Sequence, residues 1–123
     1  MIVALTLIAG ALGAVSRFVL DASIKQRWRS PFPLATVLIN VTGSLLLGVL
    51  AGLVLFHDEP SALQTVIGTG FCGGYTTFST ASFETVRLVQ QGRHGFALLN
   101  ATVSLVLSVA ACAAGLAGMW SLS

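Results

Sequence analysis

Four apolar stretches, residues 2–20, 34–56, 62–89 and 96–120, take up most of this chain, and most of its charged side chains fall between them. Each stretch has roughly the 20 residues that carry a helix across a hydrocarbon core. Only helices or closed barrels satisfy their backbone polar groups in lipid, and these stretches lack the alternation of strands. The expected fold is therefore all-α, a single domain over residues 1–123 built of four transmembrane helices. Composition agrees: 55% of the residues are hydrophobic and 8% charged, too few charges to clothe a soluble domain. No nucleic-acid partner is expected from so sparse a charge set. The partner of most of the surface is lipid.

The first stretch is read as a retained span rather than a cleaved leader. No Lys or Arg precedes it, and it is longer than the apolar segment of a signal peptide. Cys72 and Cys112 both lie inside apolar stretches without metal-ligand spacing, which marks them as small buried hydrophobes.

The basic residues are placed unevenly. Lys25, Arg27 and Arg29 follow the first stretch, with Arg17 near its end, and Arg87 and Arg93 flank the end of the third. All six Lys and Arg thus map to one side. The positive-inside rule predicts the first and third loops in the cytoplasm and both termini outside. For Arg17 two roles stand open, an interfacial anchor or an attractor of anions at a water-filled vestibule.

In the second stretch Asn40, Ser44, Gly48 and Gly52 recur every four residues, a stripe of small side chains that lets helices approach closely in lipid. Asn40 stands apart, because an amide at membrane depth is costly unless bonded. It either bonds a neighbouring helix or faces a polar path.

The third stretch holds Gly68, Gly70, Gly73 and Gly74, followed by Thr76 and Thr77. Glycine costs roughly 1 kcal/mol against alanine in a helix, and β-branched residues weaken it further, so a break near the centre is expected. A break frees backbone groups at membrane depth, tolerable only where protein or water meets them, and such breaks recur at ion sites. The competing reading is a kinked packing helix whose hydroxyls bond their own backbone. In the fourth stretch Asn100, Ser104 and Ser108 form a polar stripe at intervals of four.

The string Gly73-Gly74-Tyr75-Thr76-Thr77-Phe78-Ser79-Thr80 resembles the third-helix core of the CrcB-type (Fluc) fluoride channels. Gly10 to Arg17 is similar to that family's first-helix motif, Ala35 to Gly43 to its second-helix motif, and the serines of the fourth stretch to its polar track. The resemblance covers essentially the whole chain. It implies an antiparallel dimer of four-helix subunits in a bacterial-type inner membrane, with narrow pathways through which cytoplasmic fluoride leaves passively, reducing its toxicity. It also implies a structural sodium ion held by the backbone carbonyls of Gly73 and Thr76. By position, Asn40, Phe78, Ser79, Thr80, Ser104 and Ser108 would line the pathway, with Arg17 and Glu84 nearer its ends. A side chain at Gly73 is then expected to crowd the break and to lose backbone freedom. Two positions depart from the family pattern: Ala81 stands where a second phenylalanine is usual, and Asn100 where a tyrosine is usual.

With these departures and the one-sided charge, a second reading is a non-conducting accessory or partner subunit, paired with an oppositely oriented homologue instead of a copy of itself. A small multidrug-type transporter is a remote third, since such proteins need an acidic residue within the first helix and the stretch 2–20 has none. No constellation of His, Asp or Cys suits acid–base catalysis, so no enzyme and no organic cofactor are expected.

Overall fold

In the computed structural model, which describes residues 1–123, the first apolar stretch winds into α1 (Ile2–Arg27), running past the expected end at residue 20. The added turns contain neither Gly nor Pro, and Lys25 Nζ lies 3.0 Å from Asp21 one turn earlier. Such a pair adds only a few tenths of a kcal/mol, but nothing opposes it until Pro31 and Pro33. The extension corrects one expectation: α1 does contain an acidic residue, Asp21, engaged with Lys25 beyond the apolar run. Helix α2 (Leu34–Phe56) starts directly after Pro33 and ends at His57. Asp58 follows in the left-handed region at φ 56°.

The third stretch is helical in two pieces. Residues 61–75, α3, open with an α-turn at Ser61–Leu63, widen to a π-helix over Gln64–Cys72 and tighten again at Gly73–Tyr75. Thr76 and Thr77 are extended, with ψ values of 159° and 119°. Helix α4 (Phe78–Gln90) resumes the crossing. Gly92, at φ 74°, allows the tight turn into α5 (His94–Ser121). Helices α1, α2 and α5 are each long and apolar enough to cross a membrane. Neither α3 nor α4 reaches that length alone, and end to end they form a fourth, bent helix. The chain is an all-helical membrane protein.

Close backbone contacts explain most of the glycines. A β-carbon on Gly13 would overlap the Phe71 carbonyl, one on Gly74 the Gly10 carbonyl, and one on Gly70 would sit 2.7 Å from the Thr6 carbonyl oxygen. These contacts seat α3 against α1. The glycines therefore do not break the helix, as their density had implied. They let it pack, and the break follows at Thr76–Thr77.

The stripe on α2 divides in the same way. Gly48 lies against the Cys112 carbonyl and Gly52 against Met119, while Gly115 meets the backbone of Leu45 and Val49. Small residues thus draw α2 and α5 together, as packing-driven association in lipid requires. Asn40 and Ser44, the other half of the stripe, face a groove. Among the long spans α2 is the most enclosed, with Ala35, Val37, Ile39 and Leu50 in the core. Leu7, Val15, Phe18, Leu98 and Val109 point outward, as lipid-facing side chains do.

Candidate functional site

The break is held open by two side chains, Asn40 and Thr77. Thr77 N–H donates to Asn40 Oδ1 at 2.8 Å, and Asn40 Nδ2 donates to the Thr77 carbonyl at 2.9 Å. In an unbroken helix the Thr77 N–H would go to the carbonyl of Gly73. One turn later the substitution repeats: Thr80 N–H donates to Thr77 Oγ1 at 3.0 Å instead of to the Thr76 carbonyl. Thr77 is thereby the N-cap of α4. The carbonyls of Gly73 and Thr76 both lose their helical donors at this point. Thr76 itself is tied back, its N–H and hydroxyl each donating to the Cys72 carbonyl at 2.8 Å.

Beside the break lies a groove of about 810 Å3. Its walls are α2, the two halves of the third crossing, and α5. Of the residues singled out from sequence, Asn40, Gly73, Thr76, Phe78, Ser104 and Ser108 line it. The Phe78 ring is 88% exposed within the single chain. Gly73 also faces open space: it has ordinary right-handed helical angles, φ −63°, and a β-carbon there would meet nothing within 4 Å. The expectation that a side chain at Gly73 would crowd the chain or strain its backbone is therefore corrected; Gly74 is the crowded one. Ser79 and Thr80 do not line the groove, and the Thr80 hydroxyl accepts from Thr77 Oγ1 at 3.1 Å.

Asn100 has no exposed surface, and it joins α4 to α5. Its Nδ2 donates to Thr85 Oγ1 at 2.7 Å, and its Oδ1 accepts from Ser104 Oγ at 3.3 Å. Ser108 Oγ is the one buried side-chain polar atom without a hydrogen-bond partner. The serine stripe thus has one bonded member and one free donor.

Glu84 lies apart, in a smaller cavity of about 380 Å3 that also collects Lys25, Arg29 and Arg87. Thr36, almost fully buried, donates its hydroxyl to Glu84 Oε1. Arg17 is half-buried on α1 and lines neither cavity. Three contributors escaped the sequence reading of the site: Thr36, Thr77 as a cap, and Thr85. The cap had a signal, a threonine directly before a resumed helix. The Thr36–Glu84 pair spans 48 residues and had none.

Comparison with known proteins places these features in a context. The family described as CrcB-like protein, Camphor Resistance (CrcB), matches residues 4–116. "Fluoride-specific ion channel FluC 1" of Leifsonia xyli subsp. xyli is 48% identical over 116 residues, covering 94% of this chain and 85% of the relative. The protein of the same name from Nocardia farcinica is 45% identical, covering 89% and 74%. "Fluoride-specific ion channel FluC 2" of Mycobacterium bovis is 44% identical, covering 93% and 85%.

Proposed function

The chain belongs to the CrcB-like family, and on that premise we propose that it is a subunit of a fluoride-selective channel through which cytoplasmic fluoride leaves passively, relieving its toxicity. The carrying observation is the Asn40 clamp, which keeps the third crossing open beside a groove that holds an unbonded, buried hydroxyl at Ser108. Fluoride is small and strongly hydrated, so a pathway must replace its water with closely spaced donors. Asn40 retains a second amide hydrogen, Ser108 a free hydroxyl, and the Phe78 ring offers its electropositive edge. These residues come from α2, α5 and α4. They leave one side of the groove open, which an antiparallel second subunit would close. Ser79, Thr80 and Arg17 were assigned to the pathway by resemblance. In a single chain they stand outside the groove, and their part in the proposal depends on that second subunit.

The donor set at the break fits a structural sodium ion. A hard monovalent cation takes oxygen ligands, and the carbonyls of Gly73 and Thr76 lack their helical partners because Asn40 and Thr77 take the N–H groups. Such an ion supplies positive charge at membrane depth, which lowers the cost of an anion nearby. This chain's own part is to hold the two carbonyls free, through the clamp and the cap.

The membrane is taken to be the bacterial inner membrane, with the termini outside. A second reading is favoured by a specific observation. At the positions where the family pattern has aromatic rings, this chain has Ala81, and Asn100 turned inward onto Thr85 and Ser104. In that reading the chain is a non-conducting partner in a heteromeric channel.

Liposomes containing the purified protein and loaded with fluoride test both. Fluoride efflux without chloride efflux by the protein alone supports the channel. Flux only after addition of an oppositely oriented homologue supports the partner subunit. Equal efflux of fluoride and chloride, or proton-coupled uptake of a cationic drug, sinks both.

A further inference from the structure

Five helical hydroxyls away from the groove are spent on their own backbone, Ser79 on α4 being unbonded and Thr36 donating to Glu84 instead. Thr6, Ser16, Ser23 and Thr42 each donate at 2.8 Å to the carbonyl four residues earlier, and Thr65 does so at 3.1 Å. This is the usual fate of Ser and Thr in a lipid-facing helix, where a free hydroxyl is costly. Ser44, Thr69 and Ser108 differ: none makes a hydrogen bond within the chain, and all three line the groove. They come from α2, α3 and α5.

Helix register places them near one another in depth. Helices α2 and α5 run in the same direction, with Gly48 against Cys112 and, one turn on, Gly52 near the Leu116 carbonyl oxygen. One turn back, Ser44 is level with Ser108, and two turns back Asn40 is level with Ser104. Thr69 lines the groove, and at the adjoining Gly68 an added β-carbon would lie 3.2 Å from Leu47 and 3.9 Å from Leu50, which sets the depth of Thr69 within about two turns of Ser44. The Thr36–Glu84 pair lies on the opposite side of the Asn40–Thr77 clamp, one turn before Asn40 on α2.

Building on the channel reading, we propose that the hydroxyls of Ser44 and Thr69, with Ser108, form a second cluster of donors to desolvated fluoride, on the side of the Asn40–Thr77 clamp away from Glu84. Three hydroxyls from three elements approach a small anion from different directions. Their freedom from backbone bonds leaves each proton available without breaking a bond in the protein. Ser82, also unbonded and lining the groove, sits on α4 beyond the clamp and is outside this cluster.

The test uses the assembly that conducts in liposomes, with Ser44→Ala, Thr69→Val, the double variant, and Thr69→Ser. Loss of one donor is expected to slow fluoride efflux about tenfold, and loss of both by more, while Thr69→Ser stays within about twofold of wild type. Thermal unfolding in detergent separates a ligand from a packing role. Sodium fluoride is expected to raise the wild-type midpoint over sodium chloride, and the double variant to lose that difference while keeping its midpoint in chloride. Wild-type flux in the double variant overturns the cluster and leaves the channel standing. An equal slowing in Thr69→Ser, or a lower midpoint in chloride, overturns it in favour of a packing role. A wild-type assembly that carries no fluoride removes the channel reading, and this cluster with it.

Discussion

Asn40 concentrates the chemistry of the break in one residue. A leucine of similar bulk there would leave both the N–H and the carbonyl of Thr77 unpaired in a partly buried place. Each such group costs roughly 1–3 kcal/mol, so Asn40→Leu is expected to lower the thermal midpoint in detergent by several degrees and to abolish fluoride flux. With its carboxyl neutral, Asn40→Asp keeps an acceptor for Thr77 N–H and one O–H donor for the Thr77 carbonyl but loses the second amide hydrogen, so at a pH where the carboxyl is neutral its midpoint should lie near wild type while its fluoride flux falls. An Asn40→Leu midpoint equal to wild type would show that the clamp is dispensable. The sequence marked this amide as needing a partner and left open whether it bonded a helix or faced a path. It does both: its two bonds go to backbone, and it still lines the groove. The partner was not readable, because Thr77 lies 37 residues away, and only the packing of α3 on α1 and α2 brings it there. Asn100 shows the same limit. Its polarity was visible, but its bonds to Thr85 and Ser104 depend on how α4 meets α5.

The elements were legible where hydropathy alone decides them and less so where glycine has two uses. Apolar length located the long spans. It misplaced the end of α1, because a charged segment without Gly or Pro continues a helix once started. In the third crossing the glycines permit close packing, and the hydrogen bonds of Asn40 and Thr77 set the break one turn later. The two readings separate at adjacent residues. Gly74→Ala drives a methyl into the Gly10 carbonyl and the Ala14 backbone, whereas Gly73→Ala meets open groove. Overpacking costs typically about 1–3 kcal/mol, so Gly74→Ala should lower the midpoint clearly and Gly73→Ala hardly at all, although it narrows the groove and is expected to slow flux. A reversed order in thermal unfolding would contradict the packing described for α1 and α3. Thr76→Ser should be mild in both measurements, since the carbonyl is main chain and serine keeps the hydroxyl bond to Cys72. Replacing sodium by a bulky organic cation is expected to lower the wild-type midpoint, and no change on replacement would remove the proposed ion.

At the scale of the molecule the outstanding quantity is orientation. Lys25 and Arg27 close α1, Arg29 follows it, Arg87 ends α4 and Arg93 precedes α5. These five, with Arg17 farther up α1, gather at one end of the helices. The loop at the other end, after α2, has His57, Asp58 and Glu59 but no Lys or Arg. Short loops obey the positive-inside rule most strongly. The protein is therefore expected to insert one way, with both termini outside. An antiparallel homodimer would force half the copies to place this basic end outside, against the bias. A partner of opposite bias removes the conflict, and such a partner could supply the aromatic rings that Ala81 and Asn100 lack. Single cysteines at Ser61 and Gln91, both exposed and at opposite ends of the third crossing, decide the matter. The background would carry Cys72→Ala and Cys112→Ala, so that only the introduced thiol reacts. In intact cells an impermeant maleimide is expected to label position 61 and spare position 91. Comparable labelling at both would establish dual insertion and restore the homodimer, because a chain that inserts both ways needs no second gene product to find its antiparallel partner.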